Sequence, residues 1–194
     1  KDIDGKTYDV LCVKGSGWDM ADIEPQGLPA VKLEPLLALK NKKHLSDEDM
    51  VSYQKRNLID IKSPNPSVET FLHAFLPFKY VDHTHADAIL NITNRPGGLD
   101  YCKKIFGKKT SIVPYIMPGF MLAKKIRAIY LKNPDINCLI LMNHGIFTFS
   151  NKCKEAYDLM INYVSKAERA VKKLKSKKIK QIKKFSTRFD PHEI

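Results

Sequence analysis

Histidines at two separated places in the chain have the residue types and spacing of metal ligands. His83 and His85 are one residue apart at the end of a predicted strand, and side chains two positions apart on a strand share a face. A third imidazole, His144, follows in a predicted turn. Three imidazoles that leave one coordination position open are typical of catalytic zinc sites. The pattern predicts a divalent-metal site, although a lone H-x-H pair is also common without a metal.

The segments around these histidines predict the elements that must position them. Apolar runs indicate strands at 80–85 and 136–142, directly before the two histidine sites, and a further strand at 146–149. The other predicted elements are strands at 9–13, 30–33 and 110–113, helices at 35–39, 86–93, 99–106, 120–131 and 155–174, and helices that begin after Ser46 and Ser67. Strands and helices alternate irregularly and no internal repeat is visible, which favours a layered α/β or α+β sheet.

Serines mark the predicted starts of two helices. Ser46 is followed three positions later by an acidic residue, as in a capping box. Ser67 is predicted as the N-cap of a helix with Glu69 in its first turn, away from the core face. The helix dipole favours any first-turn carboxylate, so the position of Glu69 alone does not indicate chemistry. His73, four residues after Glu69, is expected to pack in the core, although it could also support Glu69.

Composition restricts the class of protein. A chain of 194 residues with 43% hydrophobic content supports one packed core. No apolar stretch approaches the roughly 20 residues of a membrane span, and the N-terminus has no apolar signal segment. The four cysteines are scattered and form no C-x-x-C pair. We therefore expect a cytoplasmic protein with reduced thiols and no membrane partner.

The net charge of +12 is concentrated at one end of the chain. Residues 172–194 hold eight lysines and one arginine against two acidic residues, which is +7 of the total. Nucleic-acid binding is one interpretation of such a run, but it has few aromatic residues for base stacking. We expect a domain at 1–174 and a basic tail, or a linker to a further domain, at 175–194, with no nucleic-acid partner.

Three motifs in order resemble the class II aldolase/adducin family, which includes the fuculose- and rhamnulose-phosphate aldolases. The motifs are VDHTHAD at 81–87, Pro114-Tyr115 and LMNHGI at 141–146, and the resemblance covers about residues 10 to 170. Within that family the chain looks most similar to the aldolase part of bifunctional proteins in which a short-chain dehydrogenase domain follows. No dinucleotide-binding glycine fingerprint occurs in these 194 residues.

The resemblance implies roles for individual residues. The metal, expected to be Zn²⁺ or another divalent ion, would be bound by His83, His85 and His144. Glu69 would be the acid/base carboxylate, and Tyr115 would orient or protonate the substrate. The reaction would be cleavage of a ketose 1-phosphate to dihydroxyacetone phosphate and a short aldehyde, through an enediolate that the metal stabilises.

The resemblance also implies a phosphate site made of backbone amides and hydroxyls. Its residues would be Gly15, Ser16, Gly17, Gln26, Gly27 and Ser67. The first two loops depart from those of the better-known aldolases, so a phosphorylated substrate is not established by the motif. Lys14, before the glycine loop, is a further candidate for contact with an anion.

The family implies a three-layer α/β/α sandwich with a mostly antiparallel central sheet, assembled as a homotetramer with sites between subunits. Two other functions stay open at this level. A sugar-phosphate epimerase or dehydratase of the same family would use the same histidines. A non-catalytic adducin-like interaction module would share the fold without needing a metal.

Overall fold

The computed structural model describes residues 5–174, which form six strands and seven α-helices. The strands are β1 Val10–Cys12, β2 Ala30–Lys32, β3 Tyr80–Thr84, β4 Thr110–Val113, β5 Cys138–Leu141 and β6 Gly145–Ser150. The helices are α1 Leu33–Ala38, α2 Asp47–Arg56, α3 Thr70–Phe75, α4 Asp87–Thr93, α5 Gly98–Phe106, α6 Phe120–Lys132 and α7 Cys153–Lys173. Short 3₁₀ turns lie at Pro25–Gly27 and Leu39–Asn41.

The central sheet has the strand order β3-β6-β5-β4. β6 pairs antiparallel with both β3 and β5, whereas β4 and β5 are parallel. Strands β3, β4 and β5 therefore run in the same direction, and their carboxyl ends meet at one edge. A separate two-stranded antiparallel ribbon joins β1 to β2.

Helices cover both faces of the central sheet, as the alternation along β5 shows. Leu139 and Leu141 point into a cluster with side chains of α1, α3 and α6, whereas Cys138 and Ile140 point into a cluster with side chains of α4, α5 and α7. All four are at most 2% exposed. A strand buried on both faces has a continuous apolar sequence, which explains the strong pattern at this strand. The three-layer architecture and the mostly antiparallel sheet are confirmed.

The two predicted serine caps have different outcomes. Ser46 caps α2 as predicted, because its Oγ accepts a hydrogen bond from the Asp49 amide at 3.1 Å. The prediction for Ser67 is wrong in detail, since α3 begins only at Thr70. Ser67 Oγ instead accepts from the Glu69 amide at 3.2 Å and so caps the turn before the helix. Glu69 therefore lies at the N-cap position of α3, not in its first turn.

Most predicted boundaries agree with the structure to within two residues. The first helix begins at Leu33, two residues before Pro35, because the first turn of a helix does not need the amide that proline lacks. The strand predicted at 136–142 pairs over Cys138–Leu141. The basic tail at 175–194 lies outside the described residues. None of the helices between residues 5 and 174 is long and apolar enough to cross a lipid bilayer.

Candidate metal centre

The three predicted histidines and Glu69 form one compact cluster. His83 Nε2 and His85 Nε2 are 2.9 Å apart. The Glu69 carboxylate lies between His144 and His83, with Oε1 2.9 Å from His144 Nε2 and Oε2 3.2 Å from His83 Nε2. One ligand atom from each of the four residues lies within 4.8 Å of the others. Residues from three distant parts of the chain therefore present donor atoms to one small volume.

Sheet topology explains this convergence. His83 is on β3 and His85 follows that strand, while His144 follows β5, and both strands end at the same edge. Glu69 reaches this edge from the start of α3, which packs on the same sheet face as His83 and its cross-strand partner Phe147. Spacing predicted the three histidines as a metal site and the family resemblance added Glu69, and the structure brings all four residues together.

A tight turn between β5 and β6 positions His144. Asn143 adopts a left-handed backbone with φ of 58°, which asparagine tolerates better than most residues. Gly145 then passes so close to the end of β3 that an added Cβ would lie 2.5 Å from Thr84 O and 3.0 Å from His85 Cδ2. A residue without a side chain is therefore needed for the turn to approach the His83–His85 segment.

Two contacts from β6 fix the imidazole of His83. Its Nδ1 is 2.9 Å from the carbonyl oxygen of Ile146, which can only accept, so Nδ1 carries a proton and donates it to this carbonyl. The ring also stacks on Phe147, with centroids 3.9 Å apart and planes 7° from parallel. A backbone carbonyl that orients the second nitrogen is the usual support of a metal-binding histidine.

The charges in the cluster favour an ionised carboxylate and a neutral outer imidazole. Burial acts to raise the pKa of Glu69, but hydrogen bonds from His144 and His83 outweigh it, and the net pKa lies well below the ordinary value. Burial, assisted by the neighbouring charges of His83 and His144, lowers the pKa of His85. Glu69 is 8% exposed, whereas His85 is exposed, so the cluster is open to solvent on the His85 side.

The donor set fits a divalent cation. Three imidazole nitrogens and one carboxylate are ligands that zinc prefers, and the Nε2 atoms of His83 and His85 are 2.9 Å apart. His144 Nδ1 is buried without a hydrogen-bond partner in the structure. Within residues 5–174 no second cluster of this kind is present.

The predicted phosphate loops lie beside the cluster, but most of their amides are already bonded. Gly15 N donates to Gly27 O, Ser16 N to Asn65 O, and Ser67 N to Lys14 O. Gly27 N likewise donates to a carbonyl of the chain. The loops connect to the cluster through Ser67, whose hydroxyl binds the Glu69 amide. The groups left to contact an anion are the Gly17 amide and the exposed side chain of Ser16, while the exposed Gln26 side chain already donates from Nε2 to Glu24 Oε2 at 3.3 Å.

Three further residues that the sequence analysis considered make contacts within the chain. Lys14 Nζ donates to the carbonyls of Gly15 and Trp18, so it braces the glycine loop. His73 packs edge-on against Phe147, with centroids 5.7 Å apart, and burial lowers its pKa to about 4. Tyr115 is 53% exposed on the loop after β4, and its hydroxyl faces Met117 Sδ at 3.7 Å.

Sequence reasoning missed the groups that support the histidines. The Ile146 carbonyl and the Phe147 ring contact His83 because β3 and β6 pair in a register that places Phe147 opposite His83. This register is not visible in a single sequence. Gly145 carried a signal, because a glycine directly after the turn histidine indicates close backbone approach.

The chain belongs to the class II aldolase and adducin family. The family model described as "Class II Aldolase and Adducin N-terminal domain" matches residues 5–171. A relative in Bacillus subtilis (strain 168), the uncharacterized oxidoreductase YuxG, is 37% identical over 171 residues, which are 88% of this chain and 25% of YuxG. The present chain thus spans about a quarter of the length of that relative.

Solved structures show the same fold. The N-terminal class II aldolase domain of a conserved protein from Thermoplasma acidophilum is 44% identical, with a TM-score of 0.81 over 88% of this chain and 78% of that chain. An L-fuculose 1-phosphate aldolase is 15% identical, with a TM-score of 0.53 over 85% of this chain and 70% of that chain. The second likeness concerns the fold alone.

Proposed function

We propose that this chain is a metal-dependent class II aldolase that cleaves a ketose 1-phosphate, such as rhamnulose- or fuculose-1-phosphate, to dihydroxyacetone phosphate and a short aldehyde. The observation that carries the proposal is the cluster of His83, His85, His144 and Glu69, whose ligand atoms lie within 4.8 Å of one another. Family membership supports it, and the aldolase of similar fold acts on L-fuculose 1-phosphate by its name.

In this proposal the three histidines hold a divalent ion, which we expect to be zinc. Such an ion withdraws electrons from the substrate oxygens and stabilises the negative charge that develops when the carbon–carbon bond breaks. Ile146 O and Phe147 keep the His83 ring in position, and the solvent-open side at His85 is where substrate enters.

Glu69 is the proposed acid/base group. Its low pKa means that it is ionised at neutral pH, so it can accept the proton that the substrate hydroxyl loses as the carbon–carbon bond breaks and the aldehyde forms. The same carboxylate then returns a proton to the carbon of the three-carbon fragment. Tyr115, on the loop at the same sheet edge, is proposed to orient the oxygen that becomes the aldehyde oxygen and to protonate it in the reverse condensation.

Phosphate would bind at the loops beside Glu69. Because four of the six predicted amides and the Gln26 side chain are bonded within the chain, we assign the contacts to Gly17 N and Ser16 Oγ. Ser16→Ala should raise KM for a phosphorylated ketose about tenfold, as the loss of a charge-assisted hydrogen bond does, and leave kcat unchanged. An unchanged KM would remove Ser16 from the phosphate site.

The proposed assembly is a homotetramer with sites between subunits. Exposed apolar side chains on and after the loop that carries Tyr115, Met117 at 68% and Met121 at 47%, are consistent with a covered surface there. Light scattering after size exclusion should give the mass of four chains, and a monomer at micromolar concentration would contradict the assembly.

Product analysis tests the reaction. The zinc-loaded protein should release dihydroxyacetone phosphate from rhamnulose- or fuculose-1-phosphate, and chelation followed by zinc addition should stop and restore release. An isomeric sugar phosphate instead would identify an epimerase, and loss of water a dehydratase. A protein that binds no metal and converts neither substrate would favour the adducin-like module.

A further inference from the structure

Aromatic rings pack against the candidate metal site from the core side, and they lie outside the metal-ligand motifs of the sequence. Phe147 lies directly across the β3–β6 ladder from His83, is 0% exposed, and stacks on its ring at 3.9 Å with planes 7° apart. His73 meets the same phenyl ring edge-on, at 5.7 Å and 63°. The three rings therefore form a continuous series from the core to the cluster.

The stack also connects to Glu69. The His73 amide donates to the Glu69 carbonyl at 3.2 Å, since the two residues are one helical turn apart. Glu69 Oε2 in turn lies 3.2 Å from His83 Nε2. Contacts thus run from Glu69 through His73, Phe147 and His83 and back to Glu69. This closed set of contacts fixes the position of the Glu69 carboxylate relative to the His83 imidazole.

We infer that Phe147 and His73 are positioning residues, which hold the His83 imidazole in the plane required to bind the metal ion. The Ile146 carbonyl fixes the direction of Nδ1, but one hydrogen bond leaves the ring free to tilt about that axis. A parallel phenyl face at van der Waals distance removes this tilt. The inference rests on the proposed metal site and adds the groups that determine its affinity.

Cobalt(II) binding to the full chain provides the test, because cobalt reports both affinity and ligand geometry through its visible d–d absorption. Phe147→Leu should weaken cobalt binding about tenfold, as loss of an outer-shell support does, and should alter the d–d spectrum. Phe149→Leu is the matched control, since Phe149 is 1% exposed on the same strand and packs against Phe78 instead, with the ring planes 36° apart. It should lose stability but keep wild-type affinity and spectrum.

A second pair of variants applies if Phe147→Leu does not fold. His73→Leu removes the aromatic edge and should weaken cobalt binding, whereas His73→Phe keeps it and should restore affinity and spectrum. Equal behaviour of these two variants, or equal losses in Phe147→Leu and Phe149→Leu, would overturn the positioning role. If the wild-type protein binds no cobalt, the metal site and this inference are refuted together. If the wild-type protein binds cobalt and Phe147→Leu binds it with the same affinity, the inference alone is refuted.

Discussion

Gly145 is the position at which a single methyl group should disturb two of the proposed metal ligands. An added Cβ would lie 2.5 Å from Thr84 O, 3.0 Å from His85 Cδ2 and 3.2 Å from His83 Cε1. Carbon and carbonyl oxygen normally approach to about 3.3 Å, so the β3 and β6 backbones must separate by about 0.8 Å. The displaced segment carries both imidazoles, and displacements near 1 Å at a reacting centre can cost about 100-fold in rate.

Gly145→Ala should therefore lower kcat about 100-fold and weaken zinc binding at least about tenfold, measured by chelator competition. Overpacking should also cost about 1–3 kcal/mol of unfolding free energy. Gly98→Ala is the matched control, because its Cβ would lie 2.4 Å from Ile92 O at the α4–α5 junction, where no ligand is attached. The control should lose similar stability and keep zinc. Wild-type zinc affinity and kcat in Gly145→Ala would refute the reasoning.

Three further predictions concern individual side chains, and a fourth concerns the end of the domain. Glu69→Gln should retain zinc but lose turnover, so an unchanged kcat would remove Glu69 from proton transfer. His144→Ala should lose zinc and activity together, and a zinc-loaded active variant would exclude this ligand. Burial lowers the pKa of His73 to about 4 from 6.5, so between these pH values the unfolded chain binds a proton that the native state does not, and the native state loses stability as the pH falls. Metal-free His73→Phe should therefore lose less unfolding free energy than wild type between pH 6.5 and 4, measured by denaturant titration. A chain ending at residue 174 should bind zinc with wild-type affinity if 1–174 is the domain, and lost zinc would place the boundary elsewhere.

Periodicity was sufficient to predict the main elements. Buried β5 is an uninterrupted run of apolar residues, and α6 has apolar residues at helical spacing, so both were predicted near their observed bounds. The start of α3 was misplaced because Ser67 caps a turn, and a serine hydroxyl caps turns and helices through the same bond to an amide. Local sequence does not distinguish the two.

The ligands of the candidate site were predictable, but the groups around them were not. The H-x-H spacing and the turn at His144 were visible as residue types. The contacts of Phe147 and the Ile146 carbonyl depend on strand register, which long-range pairing determines. The internal bonding of the Gly15 and Gly27 amides depends on loop packing, and glycine content gave no indication of it.

An anomalous difference map from crystals grown with zinc would examine the central claim directly. The account predicts one ion bound by Nε2 of His83, His85 and His144 at distances of about 2.0–2.1 Å. No zinc peak at this cluster under saturating zinc, or a peak bound by other residues, would contradict it.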